Sequence, residues 1–287
     1  MDMKKKLLLS MILLALCLIQ ASADTYYFKI RLYNEKGELE RWSKYISVEA
    51  KSLGVIDGVE KYEYPNGLRT LLNGGTVEDN ENPKNTYTLP KNANNEVNLD
   101  RIYGIVFANG KGRGLSEQQN IMEGDEYKAW EQIRGHIKYL ELREYIRDSY
   151  NDDSYFMYMD NVEELELPKN GMKVGIEDND GIRYFANAHK LKKITIWTGE
   201  KQVDITDNTV TNKQLLNRVG KFMFANCWAL STKYINRLIK DVTEIKDNAF
   251  FADDDNRKDL SDETDNTIIE IPSTVTKIGN QALRNRV

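Results

Sequence analysis

Two segments near the end of this 287-residue chain, VTEIKDNAF (242–250) and VTKIGNQAL (275–283), sit 33 residues apart and share one pattern. Each reads Val-Thr, one residue, Ile, three residues, Ala, then a large apolar residue. Self-similarity at such a period is the mark of stacked coils, and it restricts the fold more than composition does. The match extends outward, with Leu238 over Ile271, Val242 over Val275, Ile245 over Ile278, Ala249 over Ala282 and Phe250 over Leu283. An earlier copy, VGKFMFANCWAL (219–230), puts Val219 in the place of Ile278, Gly220 at Gly279 and Phe224 at Leu283. YFANAHKL (184–191) repeats the end of that copy, and VFANG (106–110) reads as a more degraded echo.

A second pattern interlocks with the first. IKYLEL (137–142), VEELEL (162–167) and LKKITI (191–196) all read apolar-x-x-apolar-x-apolar, and IIEIP (268–272) keeps the end of it. Alternation at the last positions makes a short strand with one face buried. The spacings from Ile137 to Val162 and from Val162 to Leu191 are 25 and 29 residues, near the length of a leucine-rich repeat. One strand plus one turn cannot bury its own apolar face, whereas stacked copies share a core. The expected fold is therefore α/β or mostly β: a solenoid of short parallel strands joined by turns or short helices, with a small β-rich region before it.

IPSTVTKIGNQAL and VGKFMFANCWAL resemble the BspA-type leucine-rich repeat, an Ile-Pro-x-x-Val-x-x-Ile-Gly-x-x-Ala-Phe-x-x-Cys pattern followed by Leu. Ile271, Pro272, Val275, Ile278, Gly279 and Ala282 carry it in one copy, and Gly220, Phe224, Cys227 and Leu230 in another. The copy at 238–260 departs at Ile239, Lys246 and Asp253. The resemblance covers roughly 135–287 and implies an exported, often cell-surface, non-enzymatic binding protein of bacteria or some protozoa.

Residues 1–23 have the layout of a secretory signal peptide: Lys4 to Lys6, an apolar stretch from Leu7 to Ile19, and Ala21-Ser22-Ala23 as the cleavage site before Asp24. Leu16 before Cys17 argues against a lipoprotein. No later stretch approaches the ~20 apolar residues of a membrane helix, so a secreted or cell-surface location is expected. Residues 24–100 read as a β-rich module or cap. TYYFKIRLY (25–33) alternates Tyr26, Phe28, Ile30 and Leu32 on one face, NEKGE (34–38) turns at Gly37, and 39–50 returns. Pro65-Asn66-Gly67 reads as a turn and the Asn-rich 73–96 as loop. Residues 101–287 are then the solenoid, with a helix within 116–139 that places Trp130, Ile133 and Ile137 on one side. The last clear repeat stops at Asn285, which suggests the front portion of a longer repeat protein, or a stack capped by Arg284, Asn285 and Arg286.

Removing three Lys and one Asp with residues 1–23 leaves 37 basic and 44 acidic side chains, a formal charge of −7. Phosphate backbones are held by clustered Lys and Arg, so nucleic acid is not an expected partner. Cys227 is the one cysteine left, which excludes an intramolecular disulfide, and His136 and His189 are too few for an imidazole-rich metal centre. GIEDNDG (175–181) and ADDDN (252–256) read as solvated acidic loops, because Ile176 breaks the calcium-loop spacing. NGKGRG (109–114) reads as a turn, since it lacks the phosphate-loop Lys-Ser/Thr ending. No nucleophile motif accompanies either histidine. No catalytic residue, metal or cofactor is therefore expected.

What remains is the surface. Strand residues between the buried ones would form a sheet face, and the candidates for ligand contact are Tyr139, Glu141 and Arg143, Glu164 and Glu166, Lys193, Thr195 and Trp197, and Glu270. Exposed aromatics beside charges are enriched at recognition sites. The expected partner is a host or bacterial surface protein or glycan, in adhesion for example. The alternative is a spacer or targeting module whose activity lies downstream or in 24–100.

Overall fold

The computed structural model describes residues 25–41, 46–49, 51–56, 59–63, 67–78, 84–108, 124–142, 156–172, 182–198, 200–210, 214–253 and 268–286. Residues 1–24, Arg143 and the motifs at 109–114 and 175–181 lie outside the described residues.

The alternating stretch at the start forms β1 (Thr25–Tyr33), with Ile30 and Leu32 buried. The Asn34 side-chain carbonyl accepts hydrogen bonds from the Lys36 and Glu38 amides at 2.9 and 2.8 Å, and Gly37 supplies the positive φ of the turn. The chain returns as β2 (Leu39–Arg41) and β3 (Ile46–Glu49), both antiparallel to β1. A separate hairpin of β4 (Lys51–Ile56) and β5 (Val59–Glu63) follows. Gly67, expected in a turn, instead opens the short helix α1 (Gly67–Leu72), because Leu68 and Leu71 fall on one helical face and are buried. The polar stretch after it holds only the two-residue strands β6 (Val77–Glu78) and β7 (Thr86–Tyr87).

The long strand β8 (Ile102–Ala108) joins this region to the repeats. One edge pairs antiparallel with β1, and the other pairs parallel with β9 (Tyr139–Leu142). Between them lies α2 (Gly124–Arg134), which packs against α1 and buries Trp130 and Ile133. Then come β10 (Glu164–Leu167), β11 (Lys193–Trp197) and the antiparallel edge strand β12 (Gln202–Asp204). The sheet order is β12-β11-β10-β9-β8-β1-β2, with β3 also on β1. Val106–Ala108 is thus strand rather than the degraded turn that VFANG suggested. The three L-x-x-L-x-L segments stack in register, Leu140 beside Leu165 beside Ile194, all facing the core.

Away from the sheet, the opening repeats form the solenoid wall. The amides of Arg183, Phe185 and Asn187 bond to the carbonyls of Lys221, Met223 and Ala225. Those of Phe222, Phe224 and Asn226 bond to Asp247, Ala249 and Phe251, and those of Asn248, Phe250 and Ala252 to Asn280, Ala282 and Arg284. Three like ladders join four stacked turns, which makes a solenoid of about three coils. Val219, Ile245 and Ile278 pair in the same order through β13 (Glu244–Ile245) and β14 (Lys277–Ile278), as the alignment placed them. Gly279 has no room for a Cβ because the Asp247 and Lys246 backbone lies against it.

Inside the wall runs an aromatic column. Trp130 meets Phe156 at 6.1 Å between ring centroids, Phe156 meets Phe185 at 6.2 Å, Phe185 meets Phe224 at 5.3 Å, and Phe224 meets Phe250 at 5.4 Å. Leu283 follows in the same position. Burying each phenylalanine contributes roughly 1.5–3 kcal/mol, and each ring pair about 0.5–1.5 kcal/mol more.

Past β12 the strand pattern breaks. After β12 closes the sheet, the segment following Leu230 becomes the helix α3 (Thr232–Ile239), whose Tyr234, Ile235, Leu238 and Ile239 are buried. Ile268–Pro272 is consequently not a fifth sheet strand. It lies beside α3, where the Asn236 amide group donates to the Ile268 carbonyl at 2.8 Å and accepts from the Glu270 amide at 3.0 Å.

Phe224→Ala, which empties the middle of the column, should cost about 3–5 kcal/mol in urea unfolding. Phe250→Leu, which copies the residue at Leu283, should cost less than about 1.5 kcal/mol. Equal losses in the two variants would mean that the column does not carry the stack.

Candidate functional site

Two rows of side chains cross the face of the sheet opposite the leucine core. The backbone register gives one row as Arg31, Gly104, Tyr139, Glu164 and Lys193. The other is Val106, Glu141, Glu166, Thr195 and Asp204. This gathers seven of the nine sequence candidates on one sheet: Tyr139, Glu141, Glu164, Glu166, Lys193, Thr195 and Trp197. Glu270 is exposed beside α3, away from them.

The face is not the open surface that alternation suggested. Tyr139, Glu141, Glu166 and Thr195 are each no more than 1% exposed. Alternation decides which face a side chain takes, not whether water reaches that face. The buried charges are joined to one another through Tyr139 and Arg31. Arg31 donates to the Glu141 carboxylate at 2.5 Å, and its guanidinium lies 4.1 Å from the centre of the Tyr139 ring. The Tyr139 hydroxyl stands 2.8 Å from Glu141 Oε2 and 3.0 Å from Glu166 Oε2. Burial first, then these two carboxylates, raise the Tyr139 pKa far above its ordinary value, so the hydroxyl keeps its proton and donates. At the far edge, Gln202 donates to Thr195 at 2.9 Å and to Glu164 at 2.5 Å. Gly104 makes the arrangement possible, since a Cβ there would strike the Tyr139 carbonyl and side chain.

Sequence reasoning missed Arg31, on a strand assigned to another region, and Gly104. Their signal was weak: a basic residue between Ile30 and Leu32, and a glycine inside a strand pattern.

The accessible chemistry lies at the rim where the parallel strands begin. The Lys138 amide bonds to the Tyr103 carbonyl, Glu163 to Lys138 and Lys192 to Glu163, so the three charged residues hold one position in successive coils. Their side chains alternate in sign. Lys192 pairs with Glu163 at 2.5 Å, and Lys193 with Glu164 at 3.1 Å. The hydrogen bond from Lys192 lowers the Glu163 pKa, so its carboxylate stays ionised. Tyr103 packs parallel to Tyr139 at 5.7 Å, and Tyr33 meets Tyr103 edge-on at 5.1 Å. Tyr33, Tyr103, Lys138, Glu163, Glu164, Lys192 and Lys193 enclose an open pocket of about 240 Å³.

Cys227 and His189 sit in packed surroundings. Burial pushes the Cys227 thiol up to about 12, and its sulfur lies 3.2 Å from the Phe185 carbonyl, so it is an inert core group. His189 lies flat on Trp228, with centroids 3.9 Å apart, and its Nδ1 is 3.3 Å from Asp160 Oδ1. Trp197 is half-buried opposite Gln202 of β12. Among the described residues, no group of three or more His, Cys, Asp or Glu side chains is placed to hold a metal ion. Within the same residues, no helix is long and apolar enough to cross a membrane.

Comparison of the chain with family profiles, with curated proteins and with solved structures returns no match. The stacked-coil arrangement itself is that of a repeat solenoid.

Two outcomes follow from these geometries. Arg31→Met should cost about 3–5 kcal/mol by stranding a buried carboxylate, while Arg31→Met with Glu141→Leu should recover most of the loss. Urea midpoints of the four members of the cycle decide it, and a double variant no better than the single one would remove the pairing argument. Burial, opposed by Asp160 and Asp253, holds His189 below its ordinary pKa, so the unfolded chain binds the proton more readily. Its contribution should be complete above the ordinary range of about pH 6.5 and should fade as pH drops through the lower folded-state value. His189→Asn should flatten that part of a Tm-against-pH curve, and an unchanged slope would assign the titration elsewhere.

Proposed function

We propose that this protein is an exported, non-enzymatic recognition protein of the BspA-like leucine-rich-repeat type. It binds a surface protein or glycan, as an adhesin would, at the rim of its sheet. The observation that carries this reading is the rim pocket. Tyrosine rings on one side and lysine–glutamate pairs on the other converge on an open cavity. The buried network behind them fixes their positions before any ligand arrives. Pre-organised aromatic and charged groups are what a binding site uses to limit the entropy lost on association. Cys227 is sealed in the core and His189 is stacked on Trp228, which supports binding rather than covalent or acid–base chemistry.

The repeat register supports the family assignment. Gly279 occupies the position where coils approach most closely, and Phe224, Phe250 and Leu283 occupy the shared apolar position. The leader of 1–23 and the absence of nucleic-acid-binding character belong to the same proposal.

The test uses purified 24–287 on immobilised matrix proteins, mucins and glycans, beside Tyr33→Ala and Lys138→Glu. Saturable binding that either substitution weakens at least about tenfold, with unfolding midpoints near wild type, is the expected result. Binding that survives both changes would move the site off the rim. A folded sample that binds nothing on the panel would count against the recognition role.

A further inference from the structure

We propose that the rim pocket takes a pyranose ring bearing a carboxylate, such as a uronic acid at a glycan terminus. This rests on reading the pocket as the recognition site. It adds the ligand class.

The size argument comes first. The cavity of about 240 Å³ is smaller than the roughly 300–1,000 Å³ of drug-sized ligand pockets, so it fits one ring rather than an extended molecule. The charge argument comes next. Three lysines and two glutamates line the pocket, and each glutamate is matched by its own lysine: Glu163 by Lys192 and Glu164 by Lys193. Lys138 makes no ion pair among the described residues, although its field reaches Glu163. One cation is therefore left for one anionic group of the ligand. The neighbouring pairs expose both donors and acceptors, which suits hydroxyl groups that are themselves both.

The wall opposite the charges is aromatic. A pyranose presents an apolar C–H face, and polarised C–H bonds are attracted to the electron-rich face of a tyrosine ring. Tyr33 and Tyr103 supply such a wall. A peptide strand fits less well. The amides of Lys138, Glu163 and Lys192 are already used by the inter-coil ladder, so the rim offers no free row of backbone donors to an added strand.

The experiment titrates the full mature chain with methyl β-glucuronide, methyl β-glucoside and acetate, followed by ligand-observed NMR and calorimetry. Glucuronide should bind at least about tenfold more tightly than glucoside or acetate, because one charge contact and one ring contact act together. The preference for glucuronide over glucoside should shrink as salt rises. Lys138→Met should abolish that preference and leave weak glucoside binding. Tyr33→Ala should weaken both sugars and leave the unfolding midpoint near wild type. Equal binding of glucuronide and glucoside, or a preference untouched by Lys138→Met, would overturn the proposal. If no sugar binds while Lys138→Glu still abolishes capture of a matrix protein, the ligand class is wrong and the rim remains the site. If neither effect is seen, both readings fail together.

Discussion

A phenylalanine can stand at the same height in every coil only if each coil returns its backbone to the same conformation. Three turns of the wall achieve this with two left-handed residues each. Arg183 and Asn187, then Phe222 and Asn226, then Gln281 and Asn285 all have φ between 55° and 62°. Asn248 holds the first of these positions in the intervening coil, at φ 53°, and Tyr158 opens the series at φ 58°. A non-glycine residue in this region costs roughly 1–2 kcal/mol, least for asparagine, which explains why asparagine recurs at the second position. The conformation persists because it points three amides of each turn at three carbonyls of the next and turns the aromatic ring inward. Phe222 and Tyr158 accept the strain without asparagine's advantage, and their turns are held by the stack itself.

This dependence on neighbours also explains how the stack absorbs irregularity. The intervals from Phe156 to Phe185, to Phe224, to Phe250 and to Leu283 are 29, 39, 26 and 33 residues, yet the rings remain in one column. The longest interval contains β12, which pairs antiparallel to β11 and closes the parallel sheet. The chain then meets the next coil with α3 in place of a strand. A segment that must pack beside an occupied edge cannot continue the ladder, and the i, i+1, i+4, i+5 spacing of Tyr234, Ile235, Leu238 and Ile239 suits a helix.

The wall and the three strands were legible because their patterns repeat. Val242, Ile245, Ala249 and Phe250 aligned with their partners, and the structure pairs them in that register. The turn at Phe156 was not legible, since Met157 and Tyr158 replace the Ala-Asn that follows Phe185 and Phe224. Its only sign was that Phe156 precedes Phe185 by the same 29 residues that separate Val162 from Leu191. Segment 268–272 misled because three isoleucines in five residues look alike in a strand and in an extended connection. The position of most of the candidate residues on one sheet was legible from period alone. Their burial was not, because Arg31 sits 110 residues before Glu141 in sequence, and nothing local joins the two.

That distant pairing determines which charged groups of the sheet stay accessible. A face carrying Glu141 and Glu166 side by side would repel itself if left dry and uncompensated. Arg31 sets one positive charge against Glu141 and the Tyr139 hydroxyl bridges the two carboxylates, which commits them to holding the sheet together. Groups that stabilise the fold in this way are poor ligand contacts, since engaging a ligand would mean breaking their internal bonds. The residues one position earlier on each strand form the rim, where Tyr103, Lys138, Glu163 and Lys192 follow one another through the backbone ladder with their side chains still reachable by solvent. The buried part of the network fixes the rim in place, and the rim presents the alternating charges and aromatic edge that the covered face cannot.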